Sequence, residues 1–326
     1  MGRKNVPSPF CGMLAIYKPR GMISKDVSRY LEKKLGRLKM GHVGTLDPMA
    51  EGVLPLLFGK ATRLQDYLLG MTKEYEFDVE FGRHTDTNDD DGQTLESIDP
   101  GIIERMAVEL AASELTGERV QIPPIYSAVK YRGKPLYEYA RSGKTTEVPL
   151  HDLERRVVIY SLKVVNLEGK IATFKARVSK GTYIRVLALE IAEKLGTIGV
   201  VTRLFRSESA GVLAKDAFTL DQVADKIGVF GNLVAPIESI TIDMPKMHIK
   251  STTHIDSLFH GKTLELDIEA FNKSIHLQNN LGKSESVFKV ATELLLLDQF
   301  GKALGLGVAR IKGSNQVVVD LKRGLV

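Results

Sequence analysis

The chain has 326 residues, 43% hydrophobic and 26% charged, with a formal net charge of +5. That balance belongs to a packed globular protein and excludes a disordered one, and the length predicts about two domains. No run approaches the roughly 18 to 20 apolar residues of a membrane span, and the start, from Met1 to Val6, lacks a signal-peptide core. A non-membrane, cytoplasmic protein is therefore expected. The single Cys11 forms no internal disulfide and fits a reducing compartment.

Charge is unevenly distributed. Residues 1–73 carry thirteen Lys and Arg against five Asp and Glu, whereas residues 74–116 carry two against thirteen. The first segment suits a phosphate-bearing partner and the second does not.

In chain order, Ser24 precedes Lys25-Asp26 and the helically spaced Val27, Tyr30, Leu31 and Leu35, with Gly36 as a stop, which predicts a helix capped by Ser24. Tyr75, Phe77, Val79 and Phe81 alternate with Glu74, Glu76, Asp78 and Glu80, which predicts a strand with one buried face. Asp99-Pro100 is expected to open a helix through Ile103, Met106 and Leu110 that ends near Gly117. A second alternating strand runs through Ala172, Phe174, Ala176 and Val178. After the turn Ser179-Lys180-Gly181-Thr182 the apolar spacing becomes helical from Ile184 to Leu195, with Tyr183 and Arg185 in its first turn. Regular periodicity weakens between Gly231 and Pro245, and short strand-like pieces follow, among them 294–297 and 317–321. The boundary is placed there, giving domains 1–242 and 243–326, the second small and β-rich. There is no internal repeat.

Several apparent signatures fail. Gly143-Lys144-Thr145 and Gly261-Lys262-Thr263 end like phosphate-binding loops, but Glu138 and Asp256 stand at the required first glycine. The acidic run from Asp86 to Gly92 resembles a calcium loop with Asp91 at the turn glycine and Ser97 at the bidentate glutamate. Ser127-Ala128-Val129-Lys130 has the Ser-x-x-Lys spacing without partner motifs. The seven histidines show no metal-ligand spacing, and no metal is expected.

The segment from Gly41 to Gly52 sets three glycines around Asp47-Pro48, so the backbone turns tightly and leaves a carboxylate accessible. By itself this reads as an aspartate capping a helix that starts at Pro48. However, Gly41-His42-Val43-Gly44-Thr45-Leu46-Asp47-Pro48 resembles the motif that carries the catalytic aspartate of TruB-type pseudouridine synthases. Four more segments resemble that family in order: Tyr17-Lys18-Pro19-Arg20-Gly21 with Ser24; Lys73-Glu74-Tyr75 followed by Gly82, Thr85-Asp86-Thr87, Asp89 and Gly92; Gln121 to Lys130 continuing to Gly143; and Ser179 to Arg185 with Leu187. The resemblance spans 14 to about 212. Departures are Tyr17 for a usual Asp, Val43 for Thr, Glu190 for Asp, and Phe205 within the common Leu-Arg-Arg.

The resemblance implies an α+β fold: a mixed, largely antiparallel central sheet flanked by helices, the pseudouridine synthase fold, followed by a small β-rich PUA-like RNA-binding domain. It implies isomerisation of uridine to pseudouridine in the T loop of tRNA at position 55, with the base flipped out of its stack and neither cofactor nor energy source required. Asp47 is then the essential carboxylate, and attack at C1′, addition at C6 and a glycal path all remain open to it. Arg185 is its partner, Tyr75 stacks on the uracil, and Leu204 packs around the base. His42 holds the flipped state open. Tyr183, Lys18, Lys130 and Arg141 complete the RNA-binding set. The partner is the T arm of tRNA, without membrane or obligate protein partner, and the enzyme is expected to be a monomer. Two other readings remain: an RNA-binding or tRNA-folding protein whose catalysis is dispensable, and a guide-RNA-dependent synthase acting on ribosomal RNA.

Overall fold

The structure is a computed structural model that describes residues 8–36, 38–242, 244–276, 291–313 and 315–325. Residues 1–7, on which the expectation about the chain start rests, and Asp243, at the expected boundary, lie outside the described residues.

The larger sheet has ten strands. Its path runs Ala235–Pro236, Gly12–Lys18, Glu51–Phe58, Gly199–Ser209, Lys73–Phe81, Ile171–Val178, Arg155–Glu168 and Gly117–Gln121, with Met40–His42 and Val212–Leu213 paired alongside. Every pairing is antiparallel except that of Gly199–Ser209 with Glu51–Phe58, so the expected mixed, largely antiparallel sheet is what forms. The parallel pair sits at the centre, where Gly52 lies opposite Arg206 and Arg206 opposite Tyr75.

Both alternating strands appear as expected, Lys73–Phe81 and Ile171–Val178, paired so that Phe77 faces Phe174 with rings stacked at 5.3 Å. Tyr75, Phe77, Val79 and Phe81 enter the main core, packed under the helices Ser24–Leu35, Arg105–Glu114 and Ile184–Lys194. The other face of Lys73–Phe81 is only half exposed, because its carboxylates pair across strands: Glu74 with Lys175 at 2.9 Å, Asp78 with Arg203 at 3.1 Å, and Glu76 with Arg203. An acidic row in mid-sheet is tolerable because each neighbouring strand answers it with cations.

Two helix predictions need correction. Ser24 does not cap the helix Ser24–Leu35: the N-cap position falls on Ile23, and the buried Ser24 hydroxyl accepts from Leu46 N at 2.8 Å and donates to Leu46 O at 3.0 Å. The residue chosen for local capping is instead spent on a distant loop. The helix expected from Asp99-Pro100 begins at Arg105, while Asp99 caps a turn by accepting from Gly101 N at 3.0 Å. Its buried face is Val108, Ala111 and Ala112, whereas Met106 is 79% and Leu110 60% exposed. Small side chains let this helix approach the sheet, and the larger apolar ones, which suggested the core face, point outward.

The second sheet has six strands, in the order Leu264–Asp267, Gln316–Gly324, Ala303–Lys312, Thr292–Asp298, Lys246–Ile249 and Ile275–His276, with the helices Thr252–Phe259 and Ile268–Ser274 against it. This β-rich curl is consistent with the PUA-like module expected. Leu295, Leu306 and Leu325 from it share one apolar cluster with Met13, Leu57, Leu64 and Leu68 of the larger sheet and its short helices. No helix among the described residues is long and apolar enough to cross a membrane.

Candidate active site

Asp47 lies in the loop between the strands Met40–His42 and Glu51–Phe58. No helix starts at Pro48. The segment 45–47 is irregular, Pro48-Met49 is a turn, and Ala50 N donates to Asp47 O at 3.1 Å. Ser24 grips Leu46 on one side, and on the other Lys18 Nζ donates to Pro48 O at 3.4 Å, to Pro19 O at 2.9 Å and to Met22 O at 2.6 Å. Lys18 is fully buried, and its three donors are spent on carbonyls. Burial lowers its pKa to about 8 despite the nearby charge of Asp47. It holds the loop in place and has no donor left for a phosphate.

Arg185, in the first turn of the helix Ile184–Lys194, donates through Nε to Asp47 Oδ2 at 2.9 Å. Its Nη1 donates to Thr87 O at 2.6 Å and its Nη2 to Tyr126 O at 2.9 Å, while Asp89 Oδ2 lies 3.5 Å from Nη1. A guanidinium has a fixed fork of donors, so these contacts fix its plane. The acidic run at 86–92 thus has a use unrelated to metal: it presents Thr87 O and buried Asp89 to Arg185. Burial raises the Asp89 carboxyl above its ordinary pKa, against the Thr87 hydroxyl and Arg185. No cluster of metal-ligand side chains occurs among the described residues.

Tyr75 and Leu204 are buried in the same apolar cluster as Leu46. His42 is half-buried, with Nε2 3.3 Å from Thr45 Oγ1 and its backbone carbonyl accepting from Gln65 Nε2 at 3.1 Å. Burial and then Arg206 depress its pKa, favouring the neutral ring. Tyr183 stands just before the helix of Arg185. Burial raises its phenol pKa, while the Ser127 hydroxyl, close by but outside hydrogen-bond geometry, works the other way. Ser127 is therefore a buried neighbour of Tyr183. Lys130 and Arg141 are exposed, on the hairpin Lys130–Tyr131 with Lys134–Pro135 and at the end of the helix Leu136–Arg141, where Arg141 stacks on Tyr137 at 5.4 Å.

Three buried polar groups, two of them inside segments that resemble the family, had no role assigned from sequence. Arg206 is fully buried without an acidic partner among the described ion pairs; its Nε donates to Val53 O at 2.8 Å and its Nη2 to Gly44 O at 3.1 Å. Lys73, also buried, donates to Leu69 O and Met71 O, and burial lowers its pKa to about 8. Gln121 accepts from Tyr183 N at 3.0 Å, fixing the backbone where the helix of Arg185 begins. The sequence signals were the place of Lys73 and Gln121 in segments that resemble the family and, for Arg206, a polar residue on an apolar alternation after Leu204. Of the four departures, two meet: the rings of Tyr17 and Phe205 lie 6.3 Å apart on the sheet face away from Leu204, packed with Ala15 and Val53.

Residues 32–184 match the family model for the N-terminal domain of TruB family pseudouridylate synthase. The tRNA pseudouridine synthase B of Geobacillus thermodenitrificans is 42% identical over 248 residues, covering 73% of this chain and 80% of that protein. The chain belongs to the TruB family. Another TruB relative, the tRNA pseudouridine synthase B of Staphylococcus aureus strain JH9, is 39% identical over 272 residues, covering 81% of this chain and 86% of that protein. This TruB-family chain is accordingly an enzyme, an isomerase by family. Two solved structures share its fold. One is a Cbf5-Nop10-Gar1 complex, at TM-score 0.71 and 23% identity, covering 99% of this chain and 92% of that one. The other is an H/ACA RNP bound to a substrate RNA containing 2′-deoxyuridine, at TM-score 0.70 and 22% identity, covering 97% and 85%.

Proposed function

We propose that this TruB-family enzyme converts a uridine in the T loop of tRNA, at position 55, to pseudouridine, with Asp47 as the essential carboxylate. The single observation that supports the chemistry most is the 2.9 Å pair of Asp47 with a buried, fully engaged Arg185. The tRNA substrate is supported by what the relatives at about 40% identity are named for.

The reaction exchanges a C1′–N1 bond for a C1′–C5 bond: the base detaches, rotates and rejoins, N1 gains a proton and C5 loses one. No atom is added, so no redox partner or energy source enters the balance. Asp47, half exposed beside a nearly inaccessible guanidinium, has the free oxygen that any of the three paths asks of it. Arg185 pairs with it and fixes its orientation. In this reading Tyr75 stacks on the detached uracil, Leu204 packs around it, and His42 holds the flipped state open. Tyr183 faces the same pocket. Lys130 and Arg141, both exposed, follow the RNA backbone, while Lys18 supports the loop from below. Residues 1–242 form the catalytic domain and 243–326 a PUA-like RNA-binding domain.

The C5 proton gives the test. A T-arm stem-loop carrying tritium at uridine C5 releases one equivalent of tritium to water with wild-type protein and none with Asp47→Asn. Absence of release by the wild type on folded RNA contradicts the proposal.

A further inference from the structure

Beyond the catalytic pair, one cation stands out by its lack of partners. Arg155 opens the strand Arg155–Glu168 and is half-buried. Its guanidinium lies over the Tyr183 ring at 5.5 Å, and its Cδ and Nη1 pack at 3.5 and 3.6 Å from the side of Gly181 where a Cβ would stand. Nε is shut off from solvent and has no hydrogen-bond partner, and no carboxylate pairs with the group among the described residues. Other half-buried arginines here are engaged: Arg83 with Glu80 and Asp90, Arg203 with Glu76 and Asp78. An arginine held against an aromatic ring, with no acceptor at its terminal nitrogens among the described residues, is placed for an acceptor that the chain does not itself supply.

The position tells which acceptor. Tyr183 is two residues from Arg185, and the charge of Asp47 acts on its hydroxyl, so Arg155 lies one side chain out from the reacting carboxylate. Gly181 belongs to the turn Ser179–Thr182, which also carries Lys180, an exposed lysine. Two cations without acidic partners therefore mark the turn that leads into the helix of Arg185. Gly181, at φ +80, lets the turn close against the arginine without a side chain between them. We infer that Arg155, with Lys180 on the turn packed against it, binds a phosphodiester group of the RNA strand next to the flipped nucleotide. The inference rests on the proposed function. A guanidinium fork matches two phosphate oxygens, and the aromatic ring beneath it reduces the ordering cost of the contact.

The experiment is a salt titration of T-arm stem-loop binding to the full chain, alongside single-turnover pseudouridine formation at saturating RNA. Arg155→Gln keeps the side-chain length and removes the charge. Its expected Kd is about tenfold weaker at low salt, with the slope of log affinity against log salt shallower by about 0.7 to 0.9, as for one lost phosphate contact. The single-turnover rate at saturation stays within about threefold, and Arg155→Lys restores the slope. Lys180→Gln, at an exposed position with no folding cost, shows the same loss of slope and carries the test if Arg155→Gln does not fold. Wild-type slope and affinity in both glutamine variants overturns the inference. So does a fall in rate at unchanged Kd, which marks Arg155 as a prop for Tyr183 alone. A wild type that binds but forms no pseudouridine overturns the proposed function instead, and the slopes still decide the role of Arg155.

Discussion

Arg185 Nε lies 2.9 Å from Asp47 Oδ2 across 138 residues of sequence, and its two remaining nitrogens are held by Thr87 O and Tyr126 O. Three segments of the TruB resemblance thus converge on the one guanidinium. Arg185→Lys keeps the charge but offers a point donor in place of a fork. Turnover is expected to fall by at least about 100-fold while RNA affinity changes by less than about threefold, since a charge-assisted pair at the reacting group acts mainly on the chemical step. Single-turnover rates and Kd on the same stem-loop separate the two.

Gly52, in the strand after the Asp47 loop, has φ +110, and a Cβ there would stand 2.3 Å from Arg206 O. The backbone of the parallel strand cannot yield without moving Arg206, which holds Gly44 O and Val53 O. Gly52→Ala is expected to cost about 3 kcal/mol in urea unfolding, combining backbone strain with overpacking. A variant as stable as wild type contradicts this account of the central parallel pair.

Lys18 and Lys73 both have pKa lowered to about 8, each mainly by burial. Below pH 8 folded and unfolded chains are both protonated and the burial penalty stands in full. Between pH 8 and the unfolded value of about 10.4 the unfolded chain holds protons that the folded chain has released, so these groups add stability as pH rises. Activity runs the other way. A neutral Lys18 drops one of its three carbonyl contacts and its charge beside Asp47, loosening the loop. Turnover is expected to decline above about pH 8 while the melting temperature does not fall up to about pH 9.5. A flat rate to pH 10, or a parallel loss of folding, contradicts this.

Much of the frame was legible in the chain itself, for identifiable reasons. The strands Lys73–Phe81 and Ile171–Val178 alternate because one face is core, and the Gly181 turn separates strand from helix by a clear change of period. The helix at Arg105–Glu114 was misplaced because its buried face is alanine and valine while Met106 and Leu110 face out. Ser24 misled for a related reason: a hydroxyl before a helix reads as a cap whether or not a loop 22 residues away claims it. The site was legible only through the resemblance. Nothing local distinguishes Asp47 from a turn aspartate, and the burial of Arg206 depends on the distant carbonyls of Val53 and Gly44, as that of Lys18 depends in part on Pro48 O.

The apolar cluster shared by the two sheets gives a further expectation. Leu295 and Leu306 pack with Leu57, Leu64 and Leu68, and Arg63 Nη1 donates to Gly324 O. Leu295→Ala is expected to cost about 2 to 5 kcal/mol, as for other buried leucines. Removal of residues 245–326 uncovers the same leucines, so residues 1–244 alone melt lower than the full chain. Equal melting temperatures contradict a shared core.

The proposed activity is isomerisation of a T-loop uridine with Asp47, presented by Arg185, as the essential carboxylate. Carbodiimide mapping of a T-arm stem-loop after incubation with the metal-free protein tests it at single-nucleotide resolution. One new pseudouridine stop is expected, in the T loop, with wild type and none with Asp47→Asn at comparable RNA binding. A stop formed by Asp47→Asn, or no stop with wild-type protein on properly folded RNA, contradicts it.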